Sequence, residues 1–430
     1  MEIKMTKMTS RFGGAALAAL ATASFAGVAH AQDTTVAWKG APQWTNDDVQ
    51  FKVRGRLLVD FVSQKVDRIA PLPDYKTSNI RGRQAFLGVE GKFNNYIAYK
   101  AEGGAVNGGA WAWDDVVLEY KPNDFTSIMV GNIKAAGLEN LTSTRFTTFM
   151  DRGPYGDMGP DSYVLSLVAK ANGQNWTVTG AVQGASLNNG DVNNTATANP
   201  GSKERVGWTG RVSYAPILTD TTKVHLAGFA RYRNHGDEGS FAYAGRPNTN
   251  YGDSGRYFTT GGIGNTDKTY GLEAAFIYNQ FSLQGEYADI KVNRQKNISG
   301  GGTDPNVKVG YVFASFWPTG ETRNYDPMKG EFGRPKIMNP ITAGGFGGVE
   351  LAVRYDYADL TDAYTTAATA AGRTLSQDAG KYKAWTFGAN YYPTGYARLM
   401  ANYTRSKINN PGPGRDVDVN TFQMRAQLDF

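Results

Sequence analysis

The last nine residues alternate without interruption: Phe422, Met424, Ala426, Leu428 and Phe430 share one face, while Gln423, Arg425, Gln427 and Asp429 share the other. A period of two is the side-chain period of a strand. The same division runs through Phe51-Lys52-Val53-Arg54-Gly55-Arg56-Leu57, Arg205 to Val212, Val224-His225-Leu226 to Arg233, and Val349 to Tyr355, with basic residues repeatedly on the polar face. Strand-length stretches of this kind recur from Val49 to Phe430 between breaks rich in Gly, Asn, Asp and Pro. Helical periodicity is hard to find.

The pattern predicts strands near 49–62, 79–93, 95–103, 111–121, 125–134, 161–172, 174–187, 203–216, 221–234, 267–279, 280–293, 306–318, 347–361, 381–393, 396–408 and 416–430. Strands that are apolar on one face and charged on the other suit a closed sheet in a bilayer, where every backbone group pairs with a neighbour and only the apolar face meets lipid. The predicted fold class is all-β, an antiparallel transmembrane β-barrel of about 16 strands. Short breaks at Asn94, Pro122-Asn123-Asp124, Asn172-Gly173, Asn279-Gln280 and Pro393-Thr394-Gly395 alternate with long ones, as periplasmic turns alternate with extracellular loops. Thr319 to Phe346 breaks that rule: a short turn belongs there, yet the segment is long and carries Arg323, Lys329, Arg334 and Lys336. Aromatic residues gather toward strand ends, as in Trp111-Ala112-Trp113 and Asn390-Tyr391-Tyr392, which suits the two membrane interfaces.

Upstream, Lys4, Lys7 and Arg11 precede an apolar run from Phe12 to Val28 and then Ala29-His30-Ala31. This is the pattern of a cleaved export leader over residues 1–31. A periplasmic N-terminal segment, 32–48, would follow, ahead of a barrel over 49–430. Losing the leader removes three basic residues and one acid, so the formal charge falls from +6 to +4, too mild an excess to suggest a nucleic-acid partner. The chain has no cysteine, hence no disulfide and no thiolate metal site. Beyond the leader no run approaches the ~20 apolar residues of a membrane helix.

Catalytic chemistry is scarce. Only His225 and His235 lie beyond the leader, and no Gly-x-Ser-x-Gly, His-Glu-x-x-His or phosphate-loop pattern occurs. His225 is the one candidate base for a hydrolase, but its inward position suits a polar pore lining better. Gly261-Gly262-Ile263-Gly264 and the glycines around Gly300 lack a following helix and read as loop tips. No catalytic residue, cofactor or metal is expected.

What the pattern concentrates is positive charge inside the barrel. Arg54, Arg56, Arg205, Arg211, Arg231, Arg233, Arg354, Arg398 and Arg425 all fall on inward positions. Arginine stays charged and its planar fork matches oxyanions, and a low-dielectric wall lined by one sign of charge concentrates counter-ions. Inward acids, among them Asp60, Glu350, Asp356 and Asp429, offer each arginine the alternative of a cross-strand pair. The long segment 135–160 holds Arg145 and Arg152 with Glu139 and Asp151; it either folds inward and narrows the pore or stands outside as an exposed loop.

Several blocks resemble the phosphate-selective porin O and P family. They are Phe51 to Arg56; Ala85-Phe86-Leu87-Gly88-Val89-Glu90-Gly91-Lys92; Gly131-Asn132-Ile133-Lys134 with Leu138-Glu139-Asn140-Leu141-Thr142-Ser143-Thr144 and Phe149-Met150-Asp151-Arg152; Tyr311 to Glu321; Arg354-Tyr355-Asp356-Tyr357; and Gln423 to Gln427. The resemblance spans most of the chain beyond the leader. It implies a trimeric outer-membrane porin conducting phosphate or pyrophosphate, a positive loop matching Arg145, and a long periplasmic turn late in the barrel, which would account for 319–346. Phosphate-selective members show adjacent arginines where this sequence reads Arg83-Gln84, a departure that weighs against tight phosphate selectivity. Arg83 is also in step with Leu87 and Val89 on the lipid face unless a bulge turns it inward.

The sequence thus reads as a porin of the Gram-negative outer membrane for passive diffusion of small anions, phosphate or phosphorylated solutes among them, with outer-membrane lipid and two further copies of itself as partners. The expected anion-binding and pore-lining residues are Arg54, Arg56, Arg83, Lys134, Arg145, Arg152, Arg211, Arg231, Arg233, Arg354, Arg398 and Arg425. The rival readings are a general or sugar- or peptide-conducting porin, a plugged structural or adhesive barrel, and a hydrolase built on His225.

Overall fold

The computed structural model describes residues 35–38, 40–68, 73–189, 206–235, 241–250, 257–294, 304–364, 378–412 and 414–430. The expected leader, Arg205 and the glycines around Gly300 lie outside the described residues. Sixteen long strands form the wall: β1 (Val49–Arg68), β2 (Tyr75–Phe93), β3 (Ile97–Val106), β4 (Ala110–Asn123), β5 (Thr126–Ile133), β6 (Val164–Asn172), β7 (Trp176–Gln183), β8 (Val206–Leu218), β9 (Thr222–Asn234), β10 (Phe258–Tyr278), β11 (Phe281–Arg294), β12 (Asn306–Phe316), β13 (Gly348–Asp359), β14 (Lys381–Thr394), β15 (Ala397–Asn409) and β16 (Val417–Asp429). Each pairs antiparallel with the next, and β16 returns to β1 in a register running from Asp429↔Arg56 to Val417↔Arg68. The sheet therefore closes and leaves no free edge.

Burial inverts the rule of a soluble protein. On β16, Met424 and Leu428 are 48% and 50% exposed, whereas Arg425 and Asp429 are 2% and 3% exposed. Leucines and valines cover the outer mid-zone, and exposed Tyr96, Tyr120, Phe125, Trp176, Tyr278 and Phe281 ring the short-turn end, as an interface girdle requires. Two of the tight turns place Asn94 and Asn279 at φ 49° and 48°, a left-handed conformation that asparagine tolerates better than most residues.

The wall differs from the alternation pattern in places where side-chain period fails as a signal. β10 begins at Phe258 rather than near 267, so Gly261 to Gly264 lie within a strand and are not a loop tip. A short strand, Phe241–Gly245, pairs with that glycine-rich stretch through two register shifts; residues without side chains show no alternation. Residues Thr35–Trp38 and Pro42–Thr45 form a hairpin whose second arm joins β1 through Gln43↔Lys52.

The lumen is filled from both ends. From the long-loop end, residues 134–163 enter it and form two short helices, α1 (Leu138–Leu141) and α2 (Gly153–Met158). Phe149, Tyr155 and Met158 of this segment pack with Phe258, Phe313, Leu360 and Tyr382 against the β10–β16 half of the wall. From the short-turn end, the 317–347 connection rises to meet it: Tyr325 and Phe332, on a two-stranded hairpin, share an apolar cluster with Leu138. The remaining space lies beside β1–β8.

Candidate functional site: the lumenal constriction

Local chemistry explains why residues 134–163 stay inside. The N-terminal amides of a helix have no partners within it, and here they find carboxylates on the wall: Leu138 N and Glu139 N donate to Glu286 Oε1 and Oε2 at 2.6 and 2.7 Å, and Gly137 N to Glu273 Oε1 at 3.3 Å. Tyr155 Oη donates to the same Glu286 at 2.9 Å. Further along, Arg398 donates to Thr147 O at 2.7 Å, Arg425 to Met150 O at 3.0 Å and Arg354 to Arg152 O at 2.5 Å.

These contacts divide the inward arginines into classes that alternation cannot separate. Arg354, Arg398 and Arg425 point inward, but they are at most 2% exposed and lie closed between wall and loop. Arg354 also pairs with Glu139 and Asp356 at 2.6 and 2.8 Å, and Arg425 with Asp60 at 2.7 Å. Arg398 is completed by Gln427 Oε1 at 2.8 Å and Tyr392 Oη at 3.2 Å. Arg211 is held by Glu273 at 2.6 Å and by Gly330 O of the hairpin at 3.0 Å. Arg231 and Arg233 share Asp161 at 3.3 and 3.0 Å, and Arg233 also pairs with Asp267. These six guanidiniums fasten inserted chain to wall.

A second group gathers around one acid of β3. Glu102 on β3 receives Arg54 at 2.8 Å, Arg56 at 3.4 Å and Arg145 at 2.6 Å. Arg54 also meets Glu90, and Arg56 meets Asp114. Arg54 and Arg145 line a cavity of about 880 Å³ at the short-turn end, whose walls carry ten basic side chains and six acidic ones.

Of the expected pore-lining residues that border a cavity, three have no carboxylate within 4.0 Å among the described residues. Arg83 is the first. Pairing passes from Leu58↔Gln84 to Val59↔Gly82, so Arg83 is the extra residue of a β-bulge. Its guanidinium donates to Asn107 Oδ1 at 3.1 Å and lines a second cavity, of about 200 Å³, together with Asp151 and Arg152. The bulge thus takes Arg83 out of step with Leu87. Arg152 is the second, and donates to Glu139 O at 2.9 Å and Thr142 O at 2.7 Å. Lys134 is the third: its Nζ donates to Asn140 O at 3.0 Å and lies 4.4 Å from the centre of the Tyr163 ring. Burial, reinforced by the nearby Arg152 charge and opposed by Asp114 and Asp115, pushes the Lys134 ammonium down to about 7.

The two cavities lie on either side of the inserted loop. Thr144, Arg152 and Ser162 border the 200 Å³ cavity, and their neighbours Ser143, Arg145 and Tyr163 border the larger one. Successive residues of the loop thus border opposite cavities, with Lys134 on the larger one and Arg152 on the smaller.

His225 does not line either cavity. Its ring is 2% exposed, with Nδ1 2.7 Å from Tyr325 Oη and Nε2 3.4 Å from Glu273 Oε2. It holds the hairpin, and among the described residues no serine is hydrogen-bonded to it. Among the described residues no three His, Cys, Asp or Glu side chains converge to hold a metal ion. Sequence reasoning passed over Glu102, Asp114, Glu273 and Glu286, the acids that sort the arginines; their inward parity was readable, but their partners follow from register.

By overall shape the chain is similar to OprB of Pseudomonas putida (TM-score 0.52, 10% identity, 87% of this chain and 94% of that one). It is equally similar to the outer membrane channel DcaP of Acinetobacter baumannii (0.51, 11%, 90% and 99%) and to OmpT of Vibrio cholerae (0.50, 12%, 90% and 99%). In sequence it is 28% identical to an uncharacterized protein of Caulobacter vibrioides over 407 residues, 92% of this chain and 77% of that one. It is 30% identical to Porin O of Pseudomonas aeruginosa over 190 residues, 42% of this chain and 40% of that one. Residues 51–430 match the family described as phosphate-selective porin O and P, and the chain belongs to this family of Gram-negative outer-membrane porins.

Proposed function

We propose that this porin passes small anions by diffusion along the β1–β8 side of its lumen, with phosphate and phosphorylated solutes as candidate cargo. The observation that carries this reading is the trio Arg83, Arg152 and Lys134, which border the cavities on the two sides of the loop and make no ion pair within 4.0 Å among the described residues, although Asp151 and Asp157 line the smaller cavity with Arg83 and Arg152. Positive charge free of a contact ion pair in a narrow, low-dielectric passage lowers the barrier for anions and raises it for cations. The paired Arg54 and Arg145 supply the positive approach on the short-turn side. In this reading residues 1–31 are an export leader, the short-turn end faces the periplasm, and three copies assemble side by side. Phosphate preference finds its support in the family; the lone Arg83 before Gln84 favours a broader anion channel.

A second reading, a barrel closed at rest, is favoured by the separation of the two cavities by the loop. One experiment decides between them: purified protein in a planar bilayer, with the zero-current potential measured across a chloride gradient and again with added phosphate. An anion-signed potential supports the proposal, and block by phosphate assigns the cargo. A cation-signed potential overturns the proposal, and silence favours the closed barrel.

A further inference from the structure

We propose that the outer face of β10–β15, at the long-loop end, is a binding surface for phosphorylated glycolipid of the outer leaflet. The observation is a row of exposed basic side chains pointing away from the lumen: Lys268, Lys291, Lys308, Lys383, Arg405 and Lys407. Lys268 stands directly opposite Lys291 across β10 and β11, and Lys383 directly opposite Lys407 across β14 and β15, with Arg405 one step along the same face. Like charges directly opposite destabilise a sheet. Acids are present nearby: Asp289 and Asp359 flank Lys308, and Asp418 faces Lys407. Even so, among the described residues none of the six basic side chains has a carboxylate within 4.0 Å. An anion seated between each pair of lysines would relieve the repulsion.

Height identifies the anion. Two residues nearer the midplane on the same strands stand Tyr270, Trp385 and Tyr403, which are 50%, 52% and 45% exposed. Such aromatics mark the membrane interface, so the basic row sits at headgroup level, where clusters of Lys and Arg attract anionic lipid. Long loops face outward in barrels of this kind, and the outer leaflet on that side of a Gram-negative cell carries phosphorylated glycolipid. The row is a sector rather than a property of every strand: toward the same end, the outer faces of β6–β8 expose Leu165, Val182, Val206 and Trp208.

The test is native mass spectrometry of the full-length protein in detergent with added bis-phosphorylated lipid A, and in parallel with chemically dephosphorylated lipid A. The wild type should retain the phosphorylated form and not the other. K268Q/K291Q/K383Q/K407Q should lose affinity about tenfold or more, and the matching Lys→Arg variant should keep it. Unchanged folded-barrel migration on heating shows that each variant is folded; if the fourfold Gln variant does not fold, the K268Q/K291Q and K383Q/K407Q pairs, which should each weaken retention, decide in its place. Equal retention of both lipids, or equal affinity of wild type and Gln variant, overturns the proposal. So does a change in subunit number in the Gln variant without any loss of lipid, which would give this face to a second copy of the chain.

Discussion

Arg354 on β13 donates to Glu139 Oε1 at 2.6 Å, although 215 residues of sequence separate them. The same guanidinium donates to Arg152 O at 2.5 Å, so one wall residue holds α1 and the start of α2 together. A buried charge that loses its partner is destabilising by about 3–5 kcal/mol. R354A, which strands Glu139 and Asp356, should unfold at markedly lower temperature, followed by the loss of folded-barrel migration on heating. E139Q should cost less, because Asp356 still neutralises Arg354. If wall and loop act through this pair, the double variant R354A/E139Q will be more stable than the sum of the singles implies.

Arg83 and Arg425 both carry inward charge, yet their substitutions should separate cleanly. Arg83 has Asn107 as its hydrogen-bond partner and faces a cavity; R83Q should leave stability within about 0.5 kcal/mol while shifting the zero-current potential toward cations. Arg425 is buried against Asp60 and Met150 O; R425Q should destabilise the barrel and change selectivity little. Equal effects of the two on selectivity would mean that net lumen charge matters, and not position at the constriction.

This contrast marks what could be read in advance. Strand number and the lipid-facing set were legible because a residue's face in a membrane strand follows from parity alone, as Met424 and Arg425 illustrate. Parity failed at Gly261 to Gly264, which have no side chains to alternate, and at Arg83, where a one-residue bulge resets the count. It also could not distinguish Arg54 from Arg354. Both are inward, but the acids they meet, Glu102 and Glu139, are set by strand register and by the path of the inserted loop.

The hairpin from the short-turn end offers a third test. Tyr325 contacts His225 at 2.7 Å, and Phe332 lies with its ring 3.6 Å from the Arg323 guanidinium. Replacing both aromatics, as Y325S/F332S, removes the apolar cluster that fixes the hairpin beneath α1. Single-channel conductance should rise and become noisier, with the sign of selectivity unchanged because Arg83, Lys134 and Arg152 stay in place. H225Q, which keeps a polar partner for Tyr325, should give a milder version of the same change. A fall in conductance would show that the hairpin props the passage open rather than narrowing it.

Lys134 makes the selectivity itself depend on pH. Burial holds its ammonium down to about 7, so the side chain is charged below that value and neutral above it. Raising pH from about 6 to about 8 therefore removes one positive charge from the constriction, and the preference for anions should weaken over that window. Arginine keeps its proton throughout, so K134R should hold the low-pH selectivity at every pH. K134Q should hold the weaker, high-pH value. The zero-current potential measured at a series of pH values on the three proteins checks this. A step that persists unchanged in K134R would place the titrating group elsewhere in the lumen.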